Sequence, residues 1–210
     1  MLFRSEVIIG ASIASLQQFG SALIDANPAI WNMLENVLTV QTQAFQFWFN
    51  KSSETLKADF DKLSSTYVEP LDTFAAMNQL LVREDWPENH KAKFIAYFCG
   101  VLEDAKVIPP YSVHRFPKEE LEKVKDNVLN FIKTDLKHLI PGAFDEQGNF
   151  KWEYFVDLED RQGEDRLNGQ YLRANLDASE RYVLSVAGSS KHRILTNQTG
   201  FDNLYFTGDW

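Results

Sequence analysis

The spacing of apolar positions changes several times along the chain, and each change marks an element. Val7-Ile8-Ile9-Gly10 is a short continuous apolar run closed by glycine, which predicts a buried strand. A helix is expected over residues 15–26. Asn27-Pro28 opens another, with Asn as N-cap, Pro in the first helical position, and Ile30, Trp31, Leu34, Val37 and Leu38 on one face. Residues 41–49 alternate and then turn aromatic at Phe45, Phe47, Trp48 and Phe49, predicting a strand buried on both faces at that end. A short helix follows over 53–63, with Leu56, Phe60 and Leu63 on one side. Asp72 reads as the cap of a helix through Leu81, and residues 93–101 as a strand.

The strongest helical stripe is Leu121, Val124, Val128, Leu129, Ile132, Leu136 and Leu139, a helix over 117–139 that Pro141-Gly142 stops. Its charges, Glu119, Glu120, Glu122, Lys123, Lys125 and Asp126, are expected to form a solvated face. Beyond Phe150 the texture breaks into short apolar pieces among Gly, Asn, Asp and Ser. Residues 181–186 read as a strand, and 200–207 as a turn followed by another. Strands and helices mixed in this order, with one long connecting helix, predict an α+β fold.

Composition narrows the function classes. With 210 residues, 44% hydrophobic and 13% aromatic, the chain can bury a sizeable core as one domain or one and a fraction. A formal net charge of −9, a pI near 4.9 and scattered basic residues argue against a nucleic-acid partner. The one cysteine, Cys99, excludes an internal disulfide and sits in an apolar run as a small buried hydrophobe; a reducing, cytoplasmic setting is expected. Residues 7–16 are apolar, but Glu6 abuts them and no small-x-small cleavage site follows, so a secretory leader is not expected. No stretch approaches the roughly 20 apolar residues of a membrane-spanning helix.

Several constellations fail on spacing. His90, His114, His138 and His192 never approach metal-ligand spacing with each other or with Cys99, so no metal is expected. Ser12 and Ser189-Ser190 lack the Gly-x-Ser-x-Gly context of a hydrolase. The carboxylate pairs Glu84-Asp85, Glu119-Glu120 and Glu159-Asp160 read as solvated surface.

The segment most informative about function is Phe201-Asp202-Asn203-Leu204-Tyr205-Phe206-Thr207-Gly208-Asp209-Trp210: a turn at Asp202-Asn203, a short apolar strand, and a Gly-Asp pair where the strand ends. It resembles the closing flavin-binding motif of the flavin-dependent amine oxidase and carotenoid desaturase superfamily, Asn-Leu-apolar-apolar-small-Gly-Asp. Residues 39–44, 68–73, 95–100, 173–175 and 179–185 also look like one branch of the flavin-dependent amine oxidoreductases, so the resemblance runs from about residue 7 to the end.

The resemblance implies FAD as cofactor and a small-molecule substrate, an amine or a lipophilic compound such as an isoprenoid, oxidised by hydride transfer to the flavin. It implies that Gly208 lets backbone come close to the dinucleotide and that Asp209 accepts hydrogen bonds from the ribityl and pyrophosphate region. Trp210 follows them, and Gly10, which ends the opening strand, completes the cofactor-binding set. Tyr205 and Phe206 are expected in the core. Arg173, Asn175, Arg181 and Tyr182 are expected either to line the substrate cavity or to tie domains together by hydrogen bonds. No catalytic residue is assigned.

The implied organisation is a residual strand and helix of the FAD domain over 1–26, a substrate domain over 27–195, and a returning strand over 196–210. Gly-x-Gly-x-x-Gly occurs nowhere in the sequence. The chain is therefore expected to be an internal piece of a longer flavoprotein, inactive and free of FAD by itself. The alternative expectation is a non-catalytic binding or scaffold domain that keeps the framework without flavin.

Overall fold

The computed structural model describes residues 5–58 and 64–208. The chain opens with β1 (Val7–Ile9), α1 (Ile13–Phe19), α2 (Ser21–Ala26), α3 (Pro28–Asn36) and β2 (Thr39–Val40). Next come β3 (Thr42–Phe49), α4 (Ser53–Leu56), β4 (Ser64–Ser65), β5 (Thr73–Ala76), β6 (Phe94–Val101), α5 (Phe116–Thr134) and α6 (Leu136–Leu139). It finishes with β7 (Tyr171–Asn175), β8 (Tyr182–Val183) and β9 (Leu204–Phe206). This is the mixed α+β content that the patterning predicts. Two compact units result, one from residues 1–42 with 175–210 and one from 43–174. The expected opening and closing pieces, 1–26 and 196–210, both fall in the first unit, together with 27–42 and 175–195.

In the first unit β1 runs parallel to β9, with Val7 opposite Leu204, Ile8 opposite Tyr205 and Ile9 opposite Phe206. β2 pairs antiparallel with β8. Ile13, Leu16, Ile30, Met33, Leu34, Val37, Leu204 and Phe206 close one core beneath them. The single helix expected over 15–26 is two: Gly20 ends α1 and begins α2, and a Cβ on it would lie 2.6 Å from the Leu16 carbonyl oxygen. α3 starts as predicted, with the Asn27 side chain accepting from the Ala29 amide at 2.9 Å. Its buried face is Ile30, Met33 and Leu34, while Trp31 is 55% exposed and Leu38 51%. The i, i+3, i+4 relation from Ile30 selects Met33 and Leu34 and turns Trp31 off the stripe.

The second unit is built on a five-stranded sheet in the order β4-β5-β6-β3-β7. Phe45, Phe47 and Phe49 share one face of β3 and are fully buried with Phe74, Phe94, Phe98 and Phe155. α5 sets Phe131 against this face, 5.2 Å from the Phe98 ring and 6.0 Å from Phe45. Burial on both sides occurs at the beginning of β3, from Thr42 to Phe45, and alternation follows; the sequence pattern suggested the reverse. The helix expected from Asp72 to Leu81 is instead β5 followed by a 3-10 turn at Asn78–Leu80. Residues 73–76 pair antiparallel with β6, Phe74 opposite Phe98, and that pairing outweighs the local cap signal of Asp72.

α4 stops at Leu56, where Lys57 takes a left-handed φ of 53°; Phe60 and Leu63, expected in the same helix, lie outside the described residues. The helix expected over 117–139 is interrupted at Asp135 and its buried stripe is Glu120, Val124, Val128, Phe131 and Ile132, with Leu121 38% exposed. The strand expected over 181–186 shortens to β8.

Candidate functional site

Because β1 and β9 are parallel, their carboxyl ends lie side by side. The Val7 amide donates to Asn203 O at 2.8 Å and the Thr207 amide to Ile9 O at 3.0 Å, which holds the two strand exits in register. Beyond them opens a cavity of about 460 Å³ whose walls include Gly10, Ala11, Ser12, Thr207 and Gly208. Ser179, Glu180, Arg181, Tyr182 and Asn175 complete the lining. Two of the four expected cofactor-binding residues, Gly10 and Gly208, thus meet at one opening. The other two, Asp209 and Trp210, lie outside the described residues.

Local chemistry fixes the walls. Ser12 caps α1: its Oγ accepts from the Ser15 amide at 3.2 Å, lies 2.9 Å from Ser15 Oγ and donates to Ala178 O at 2.7 Å. That last bond anchors the 3-10 turn Ala178–Glu180 beside the exit of β1. Arg181 donates from Nε to Thr39 Oγ1 at 3.0 Å and from Nη2 to Thr39 O at 2.9 Å, tying the strand pair β2–β8. Asn175 donates to Thr42 Oγ1 at 2.9 Å. Tyr182 is 54% exposed, and Arg173 belongs to β7 in the second unit. Of the lining residues, Ala11, Ser12, Ser179, Glu180 and Thr207 were not singled out as site residues from sequence. Ser12 alone carried a local signal, as a helix cap.

Two of the carboxylates read as solvated surface are not. Glu84 accepts from both indoles, Trp48 Nε1 at 3.0 Å and Trp86 Nε1 at 3.0 Å. Glu120 is 2% exposed, with Lys123 Nζ 2.5 Å from its Oε1. Glu159 and Asp160 do face solvent, beside Arg161 and His90. Cys99 is half-buried, and burial pushes its thiol above the usual range, with the Asp72 carboxylate adding to the effect and the Thr73 hydroxyl opposing it. Among the described residues, no three His, Cys, Asp or Glu side chains gather as a metal site, and no helix is long and apolar enough to cross a membrane.

No family model matches the chain, and no curated protein matches it. Among solved structures, the fold is similar to the crystal structure of an oxidoreductase from Methanosarcina mazei, at 15% sequence identity and a TM-score of 0.50. The match covers 97% of this chain but 37% of that one, so the chain spans little more than a third of the neighbour's length. At this identity the likeness is one of fold.

Proposed function

We propose that the chain is part of an FAD-dependent oxidoreductase that acts on an amine or a lipophilic small molecule. The carrying observation is that two parallel strands run out, through Gly10 just past β1 and Gly208 two residues past β9, into one shared cavity. Ligands of α/β proteins bind outside the carboxyl ends of parallel strands, where backbone amides and short side chains can approach them. The cavity lies within the roughly 300–1,000 Å³ range of small-molecule sites. Its short walls, Gly10, Ala11, Ser12, Ser179, Thr207 and Gly208, fit the close approach that one section of a dinucleotide needs.

In this reading Gly10 and Gly208 admit the cofactor backbone-close, and the sequence resemblance assigns Asp209 and Trp210 to the same cofactor-binding set. Ser12, bonded to Ala178 and Ser15, holds the wall's shape. The first unit belongs to the cofactor-binding domain, and the second, with its aromatic sheet, to the substrate domain. Bound FAD would supply the hydride acceptor; the chain's residues bind and orient it. The remaining polypeptide of the cofactor domain lies in a longer protein, in keeping with the length of the fold neighbour.

The test is the visible spectrum of the full-length gene product. A flavin spectrum, with FAD released on denaturation, is expected, and Gly10→Val and Gly208→Val are each expected to deplete the flavin while the protein stays folded. The 210-residue chain alone is expected to carry none. A full-length product that neither contains nor takes up flavin would point to a scaffold instead, and flavin retained in full by both valine variants would remove these two residues from the site.

A further inference from the structure

We propose that residues 105–118 form a peripheral docking loop for the surface of an anionic phospholipid bilayer. Three large apolar side chains stand exposed within five positions: Val107 at 79%, Ile108 at 55% and Tyr111 at 89%. The stretch Ala105 to Lys118 contains no acidic residue, although the chain as a whole carries a net charge of −9. Its charges are Lys106, Arg115 and Lys118, with His114 between them, and all four are exposed.

The loop is already shaped. The Val113 amide donates to Pro110 O at 2.9 Å and the Phe116 amide to Val113 O at 3.1 Å, two successive turns that lead into α5. The Tyr111 ring meets His114 edge-on at 6.3 Å, and Pro109-Pro110 restricts the backbone at the tip. An interface of headgroups and upper acyl chains suits these parts: Val107 and Ile108 enter the apolar boundary, Tyr111 sits at headgroup level, and the basic side chains reach lipid phosphates. A stable protein partner normally buries about 800 Å² per side, more than five tip residues present, whereas a bilayer requires no matched surface.

Acids flank the stretch without entering it. Glu103 and Asp104 precede it, and Glu119 follows, with its Oε1 3.5 Å from Arg115 Nε; that pair is largely exposed and so weak and readily screened. Binding is therefore modest and salt-sensitive. The proposal does not depend on the redox reading.

The experiment is co-sedimentation of the chain with vesicles of phosphatidylcholine and with vesicles of an equal mixture of phosphatidylcholine and phosphatidylglycerol. Partition into the mixed vesicles is expected to exceed that into neutral ones by roughly tenfold, from the attraction of a few basic residues to an anionic surface. Added salt should shrink this difference. Val107→Ser with Tyr111→Ser should bring binding to the mixed vesicles down to the neutral level, and Lys106→Glu with Lys118→Glu should erase the preference between them. No binding to either vesicle, equal binding to both, or binding untouched by both double variants overturns the proposal.

Discussion

Asn27 donates its side-chain amide to the carbonyl of Thr199 at 2.7 Å, across 172 positions of sequence, while its Oδ1 accepts from the Ala29 amide. One side chain thus caps α3 and fastens the turn that leads into β9. The turn is closely fitted: Gly200 has a φ of 81°, and a Cβ there would come 2.9 Å from Asn27 Nδ2. Asn27→Ala removes both bonds and is expected to destabilise the chain by about 2 kcal/mol, a cap of about 1 and a part-buried hydrogen bond of about 1. Asn27→Asp keeps the cap and loses the donor, so it should fall between the two. Chemical denaturation of the three proteins checks this ordering, and equal losses for Ala and Asp would mean that the cap adds nothing.

Gly142 is held where backbone meets backbone. A Cβ at that position would stand 2.2 Å from the Thr55 carbonyl oxygen and 2.7 Å from the Leu56 carbonyl carbon, and neither atom belongs to a side chain that can swing away. Gly142→Ala must displace α4 from the turn Pro141–Ala143 and is expected to cost about 3 kcal/mol. Gly148→Ala is the control: that glycine has open space around it, and only its φ of 84° is at stake, so a loss of about 1 kcal/mol is expected. Denaturation midpoints should separate the two.

These contacts also mark what could be read from sequence. α3 was legible because its signals are local, an Asn cap followed by Pro, and the apolar run of β6 was legible for the same reason. The stretch after Asp72 was not, because its strand character comes from Phe74 lying opposite Phe98 in a partner distant in sequence. Glu120 was assigned to the wrong face because a carboxylate in a buried stripe contradicts the usual pattern, and only the nearness of Lys123 accommodates it. At the candidate site, Gly10 and Gly208, which follow β1 and β9, stood out in the sequence as closing the two apolar strands. Their meeting depended on the parallel pairing of two three-residue strands, and Ser12, Ser179 and Thr207 joined them as small polar residues of a kind found in any loop.

Cys99 should behave as a sluggish thiol. Burial is the largest cause of its raised pKa and the Asp72 carboxylate the second, so near neutral pH less of it is thiolate than in an unfolded chain. Alkylation by iodoacetamide is expected to be slower for the folded than for the denatured protein. The gap should narrow as pH climbs through the raised value. The sign for stability follows: the folded state favours the neutral thiol, so its contribution is complete below the unfolded pKa and is lost as pH rises through the folded one. Equal alkylation rates near neutral pH would contradict the burial of this group.

Glu120 and Lys123 allow the buried ion pair to be taken apart in two ways with opposite results. The Glu120 side chain is 2% exposed while that of Lys123 is 54% exposed, so most of the desolvation cost falls on the carboxylate. Its Oε2 is buried without a hydrogen-bond partner. Lys123→Met leaves that charge with no counterion and is expected to cost about 2 kcal/mol, less than for a fully buried pair because the lysine is half in water. Glu120→Leu removes the charge itself and extends the apolar stripe through Val124 and Val128. The leucine is expected to leave stability unchanged or to raise it by about 1 kcal/mol, as when buried ion pairs give way to well-packed apolar groups. Denaturation of both variants decides the matter, and a loss for Glu120→Leu as large as that for Lys123→Met would show that the pair stabilises α5 beyond what an apolar contact supplies.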